Sequence, residues 1–172
     1  MELVDLYDEN RLPLGRTAQR FSKREKGVWR LIAHLCVFDS RGRLLLQQRS
    51  SEKRIWPGKW DVSAAGGVSA GETTRTAAAR ELQEELGLAA EPQELRSVCT
   101  VTFNYAFDDY FILKRDVDLR TLHLQKEEVS AVRWATRQQV LDLIRRDAFV
   151  PYSENFLAYL FDMARTMEFQ SK

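Results

Sequence analysis

The chain has 172 residues, 44% of them hydrophobic, which suits one domain able to bury a core without disulfide or metal staples. Lys+Arg and Asp+Glu balance at 26 and 25, so the net charge of +1 excludes the broad basic field of a protein that binds extended nucleic acid. No run of about 18 apolar residues occurs, and the acidic start MELVDLYDEN lacks a signal-type apolar core, so a cytoplasmic protein with no membrane partner is expected.

Residues 2–20 alternate apolar and polar around Asp8-Glu9-Asn10 and read as a hairpin, part of an extension over residues 1–27 that joins the body through SKREKG. Trp29 to Phe38 is apolar almost throughout and long enough for a central strand. Asp39-Ser40-Arg41-Gly42 turns it into RLLLQQR, and the two strands are expected to pair antiparallel. A basic, tryptophan-rich loop, SSEKRIWPGKW, leads to Trp60–Ala64. Further strands are expected near Leu95–Phe103, Tyr105–Lys114 and Ala131–Trp134, and amphipathic helices near Arg137–Arg146 and Ser153–Met167. Strands and helices mixed in this order, without βαβ alternation, argue for an α/β fold with a mixed sheet held between helices.

The stretch from Gly66 to Leu88, GGVSAGETTRTAAARELQEELGL, carries the chemistry. Thr73 to Leu86 holds three consecutive alanines, two leucines and no proline or glycine, which predicts a helix stopped by Gly87. On a helical period Ala79, Leu82 and Leu86 form an apolar stripe, while Glu81, Glu84 and Glu85 gather on a face away from it. Like charges at those spacings cost a few tenths of a kcal/mol per pair. A divalent cation removes that repulsion, and hard oxygen ligands suit Mg²⁺, with Mn²⁺ as the alternative, completed by substrate phosphate oxygens. The expected partner is a small-molecule phosphate ester or anhydride. Gly66 and Gly67 are expected in a tight loop that brings backbone close to metal and phosphates. Glu72 and Arg80 would stand behind the ligands, with Arg80 pairing a carboxylate and fixing its direction.

Cys36 and Cys99 sit in apolar runs and read as buried thiols. The near-alternate Phe103, Tyr105, Phe107 and Tyr110 read as a core face. His34 and His123 are far apart and show no site pattern.

Every fixed position of G-x₅-E-x₇-R-E-U-x-E-E-x-G-U (U, a bulky aliphatic) is filled from Gly66 to Leu88, and this segment resembles the defining box of the Nudix family. The resemblance implies an α/β/α sandwich with the box in a strand-loop-helix. It also implies a Mg²⁺-dependent hydrolase acting on a nucleoside diphosphate linked to another group, with Glu81, Glu84, Glu85 and Arg80 in the catalytic set.

The N-terminal hairpin, LLLQQR and KRIWPGKWD further resemble the isopentenyl-diphosphate isomerase branch, whose pyrophosphate-holding basic residues align with Arg20, Arg49 and Lys53. That branch carries Cys-Gly-His where this chain has Ala65-Gly66-Gly67, and its other metal histidines align near Arg24 and Leu31. Hydrolysis on an isomerase-like scaffold is therefore expected, against the alternatives of prenyl-diphosphate isomerisation and of a binding module without catalysis. Glu81 is the first choice of general base, with Asp109 or Glu127 as substitutes. The sequence leaves homodimerisation open.

Overall fold

The computed structural model describes residues 2–23 and 25–167. Strands β1 (Leu3–Tyr7) and β2 (Pro13–Gln19) form the expected antiparallel hairpin. Its turn is closed by Asp8, whose carboxylate accepts from the amides of Asn10 at 2.9 Å and Leu12 at 2.8 Å. Val4, Leu6 and Val28 form a small apolar cluster beneath it. Reciprocal main-chain bonds between Tyr7 and Trp29, at 3.0 and 2.8 Å, seat the hairpin on the body.

The body is built on a seven-stranded mixed sheet. Its centre is β3 (Arg30–Phe38), which pairs in parallel along its whole length with β8 (Ala106–Lys114); β8 in turn pairs antiparallel with β7 (Arg96–Phe103). The other edge of β3 is divided. Ile32 to Leu35 pair with β6 (Ala64–Gly67), and only Phe38 pairs with β4 (Leu44–Arg49), at Leu44. The antiparallel pairing expected after the Asp39–Gly42 turn thus survives for one residue pair. The reason is a wedge: the buried Ser63 hydroxyl donates to the Leu45 carbonyl at 2.7 Å and accepts from the Val37 amide at 2.8 Å, bridging the strands as they part. Strand β4 then pairs with β5 (Trp60–Asp61) and β9 (Val129–Ala135).

Helix α1 (Thr74–Leu86) covers one face of the sheet, and α2 (Arg137–Arg145) with α3 (Glu154–Thr166) covers the other. Alternation along β3 divides the core: Leu31, Ala33, Leu35 and Val37 pack with α1, whereas Cys36 and Phe38 pack with α3. This is the α/β/α sandwich expected. Helix α1 begins at Thr73, whose hydroxyl accepts from the Thr76 amide in a reciprocal capping box, and ends at Gly87 in the left-handed region, φ 66°.

Three expectations change in detail, and a fourth reading falls partly outside the described residues. Gly66 and Gly67 belong to strand β6 rather than a loop. Of the four aromatics, Phe107 and Tyr110 are buried but Phe103 and Tyr105 are exposed, because the chain reverses there with positive φ at Asn104 and Tyr105. Cys36 is buried, while Cys99 is only half-buried; both are free thiols. Arg24, one of the positions set against isomerase histidines, lies outside the described residues, and Leu31 is core.

Candidate active site

The glutamate face of α1 is not a solvated face. Glu81 and Glu85 are 6% and 3% exposed, lying against β6 where β3 and β4 part, and Glu84 alone points outward with its side chain 51% exposed. Helix α1 therefore buries carboxylates as well as its apolar stripe. The glycine at the start of the box explains how. A Cβ at Gly66 would lie 2.0 Å from the Glu81 carboxyl carbon and from its Oε1, so the space a side chain would fill is occupied by the carboxylate. Backbone does make a close approach at this glycine, but it is strand rather than loop, and what it meets is the Glu81 carboxylate.

Glu85 sits one helical turn on, its Oε2 accepting from the Gln47 amide at 2.8 Å and from the Ala65 N–H at 3.3 Å. Burial first, and the neighbouring Glu81 second, push the Glu85 carboxyl up to about 8. Burial likewise raises Glu81. Two buried, mutually repelling carboxylates need a proton or a cation between them, and an all-oxygen, hard donor pair suits Mg²⁺.

Arg80 organises the surrounding charge. Its Nε and Nη2 each donate at 3.1 Å to one oxygen of Glu72, a two-pronged pair in which the carboxylate expected beside Arg80 is Glu72. The same guanidinium reaches Glu81 at 2.9 Å, Glu84 at 3.0 Å and the Gly67 carbonyl at 3.1 Å. Glu84 is thereby turned toward Arg80. Among the described residues no three His, Cys, Asp or Glu side chains converge in a geometry ready to hold a metal ion, so the expected trio is not assembled as a cage. Glu81 and Glu85 remain as an adjoining pair, which fits an ion that keeps waters and takes further oxygens from phosphate.

The three basic residues approach the same place. Lys53 lies within electrostatic reach of Arg49, Glu85, Arg20 and Glu81; burial and then Arg49 lower its pKa. Its ammonium meets Glu128. Arg20 lies on the far side of β6, with its Nε 3.0 Å from where a Gly67 Cβ would stand, and pairs with Glu2 at 2.7 Å. Arg49 is not a solvated strand-end residue: its Nη1 meets Asp61 at 3.2 Å and its Nε donates to the Ile55 carbonyl at 3.0 Å.

The substitutes for the general base fare differently. Although burial would raise it, Asp109 is held below the usual carboxylate range by hydrogen bonds from Arg11, Thr100 and Thr74, and all three bind it to structure. Glu127 is exposed, and its neighbour Glu128 faces Lys53 instead. Sequence reasoning passed over Gln47, Asp61, His34 and Tyr152. The signal for Gln47 and Asp61 was a polar residue inside a strand, LLLQQR and WDVS, where an apolar one packs more simply. Asp61 is buried, and burial raises its pKa while Arg49 lowers it. Tyr152 joins the group by donating to Asp61 at 3.2 Å and standing 3.3 Å from His34 Nδ1.

The sequence can be set beside known proteins. Residues 28–160 match the NUDIX domain family. A protein named as an uncharacterized Nudix hydrolase of Listeria monocytogenes is 42% identical over 171 residues, 98% of this chain and 100% of that protein. An isopentenyl-diphosphate Delta-isomerase of Streptomyces avermitilis is 31% identical over 170 residues, 95% of this chain and 83% of that one. In fold, the chain resembles a solved Deinococcus radiodurans structure with a TM-score of 0.76 at 24% identity, covering 91% of this chain and 98% of that one. With the box strand, its capped helix and its buried glutamates in place, these matches show that the chain belongs to the Nudix family and is a Nudix-type hydrolase.

Proposed function

We propose that this enzyme hydrolyses a diphosphate bond with Mg²⁺, in a nucleoside diphosphate linked to another group, and that the whole chain acts as one domain. The observation that carries the reading is the convergence of two buried carboxylates, Glu81 and Glu85, with three cations, Arg20, Arg49 and Lys53. Each of these charges also has a partner within the protein, such as Glu2 for Arg20, Asp61 for Arg49, Glu128 for Lys53 and Arg80 for Glu81, but their gathering around one place is what supports the reading. Together they suit a divalent cation on one side of a phosphate chain and basic residues on the other.

Glu81 and Glu85 would hold the metal, which when bound lowers the pKa of a water and neutralises charge on phosphate oxygens. Arg49 and Lys53 clamp the phosphate farther from the helix, and Arg49 arrives with its direction set by Asp61. Arg80 steers Glu81 and ties the helix to Glu72 and β6. Glu81, whose pKa burial raises, would accept the proton of the attacking water.

Formation of nucleoside monophosphate from a panel of nucleoside diphosphate derivatives, with and without Mg²⁺, tests the reading. Turnover that needs Mg²⁺ is expected, and no turnover of any diphosphate with Mg²⁺ present would overturn it. The isomerase reading draws on the Streptomyces relative. It fails on Ala65, which cannot move a proton, so incubation with isopentenyl diphosphate should yield no dimethylallyl diphosphate above a no-enzyme control.

A further inference from the structure

Strand alternation sets Ile32, His34, Ala65, Gly67, Asp108 and Tyr110 on the sheet face opposite α1: Ile32 is level with Gly67 and Asp108, and His34 with Ala65 and Tyr110. Farther along the same strands this face is sealed by α3, where Cys36, Phe38 and Ile112 are fully buried. Toward the box it is not sealed, since Ile32, Ala65 and Gly67 remain half-buried. The result is a floor that starts at Arg20, over Gly67, and runs away from the glutamates across β6, β3 and β8.

Two polar side chains are set in that floor. His34 and Asp108 are 8% and 9% exposed, and among the described residues His34 Nε2 and Asp108 Oδ1 are buried with no hydrogen-bond partner. They stand 3.4 Å apart through Asp108 Oδ2. The imidazole is held in place: its ring stacks on Tyr110 with centroids 4.4 Å apart and planes 9° apart, and Nδ1 faces the Tyr152 hydroxyl. Buried polar atoms without partners cost on the order of 1 to 3 kcal/mol each. Nothing in the diphosphate chemistry uses them, and an apolar pair would pack this face at lower cost.

We infer that Asp108 and His34 form a subsite that reads hydrogen-bond donors, amino or hydroxyl groups, on the moiety carried by the diphosphate. The inference rests on the diphosphate reading, which places the phosphates beside Arg20 and so lays the attached group along this floor. An orphaned carboxylate oxygen accepts from an N–H or O–H and gains nothing from a hydrocarbon. The subsite therefore selects polar groups and rejects a prenyl chain, by the asymmetry through which a site built to hydrogen-bond disfavours a ligand lacking the bond.

The test is binding, measured by calorimetry with Mg²⁺ present. The probes are α,β-methylene analogues of adenosine, cytidine and uridine diphosphate, with methylenediphosphonate as the bare anchor. At least one nucleotide analogue should bind tenfold or more tighter than the anchor, and Asp108→Leu should lower that ratio by about 10- to 100-fold. His34→Phe, which keeps the stack on Tyr110, carries the same expectation should Asp108→Leu not fold. A parent that binds every nucleotide analogue no better than the anchor, or a ratio unchanged in a folded variant, overturns the subsite. Selective binding without any hydrolysis of the natural diphosphates overturns the hydrolase reading alone.

Discussion

Gly66 and Gly67 are consecutive residues of one strand, yet they face opposite chemistries. Gly66 looks toward α1, where the Glu81 carboxylate fills the place of its missing side chain; Gly67 looks the other way, where Arg20 Nε lies 3.0 Å from the place of the missing side chain without filling it. On the first side the charges are negative, buried and locked by backbone contacts. On the second the charge nearest the strand is that of Arg20, borne by a long side chain that can adjust. On the proposed reading, the fixed carboxylates serve a cation whose coordination tolerates little error, and the adjustable Arg20 serves a phosphate chain that must enter and leave.

The comparison can be broken most forcefully on the carboxylate side. Glu85→Gln keeps the shape and the bonds to Gln47 and Ala65 while removing charge, and should lower kcat by on the order of 10²-fold or more in a folded protein at saturating Mg²⁺. Near-normal turnover would remove Glu85 from the site. Gly66→Ala should come close behind, with a loss of about 10²-fold, because the new methyl group must push the Glu81 carboxyl aside and small misplacements at reacting groups are costly. Its far-UV circular dichroism should stay native, since only the end of a side chain has to move.

The cationic side should respond more gently. Charge-assisted hydrogen bonds to phosphate are worth roughly 1.5 to 3 kcal/mol, so Arg49→Ala should reduce kcat/KM by about 10- to 150-fold, with Mg²⁺ affinity little changed. Arg49→Lys should lose less, keeping the charge but not the fork. Arg49→Ala also leaves buried Asp61 without its cation, so thermal unfolding should fall in that variant and recover in Arg49→Lys. Kinetics matching the parent in both variants would remove Arg49 from the substrate site. Smallest of all, Gly67→Ala should change kcat/KM only a few-fold, because Arg20 can give way by a few tenths of an ångström. An effect equal to that of Gly66→Ala would erase the distinction between the two faces.

The box was legible because its spacing is local: Glu81 one turn before Glu85 is helix arithmetic that needs no tertiary knowledge, whereas the pairing of Arg80 with Glu72, which lies ahead of the helix, emerges only from the structure. The layered fold was legible from the order of its elements. The sequence misled wherever a residue's setting depends on another strand. Ser63 parts β3 from β4, a hydrogen-bonded wedge that no hydrophobic pattern announces. The Glu81–Glu85 face reads in the sequence as a metal-binding face, but how deeply it is buried depends on Gly66, which only the β3–β6 register places beneath it. His34 gave no signal at all: a histidine in an apolar run acquires a role only when register sets it beside Asp108 and Tyr110.

The central claim is that Glu81 and Glu85 share a buried site that a cation completes, and pH separates this from a purely structural pair. A carboxyl raised to about 8 in the folded protein binds a proton that the unfolded chain, with an ordinary carboxyl, has lost. Stability from that proton is full below the unfolded value and disappears as pH rises through the folded one. Without metal, the parent should therefore lose roughly 3 kcal/mol of stability between about pH 5 and about pH 8, while Glu85→Gln should not follow this loss. The decisive measurement is calorimetric titration of Mg²⁺ near neutral pH in buffers of different ionisation enthalpy. The parent should bind Mg²⁺ and release protons, and Glu85→Gln should bind more weakly with less proton release. Equal affinity and equal proton release in the two proteins would contradict the account.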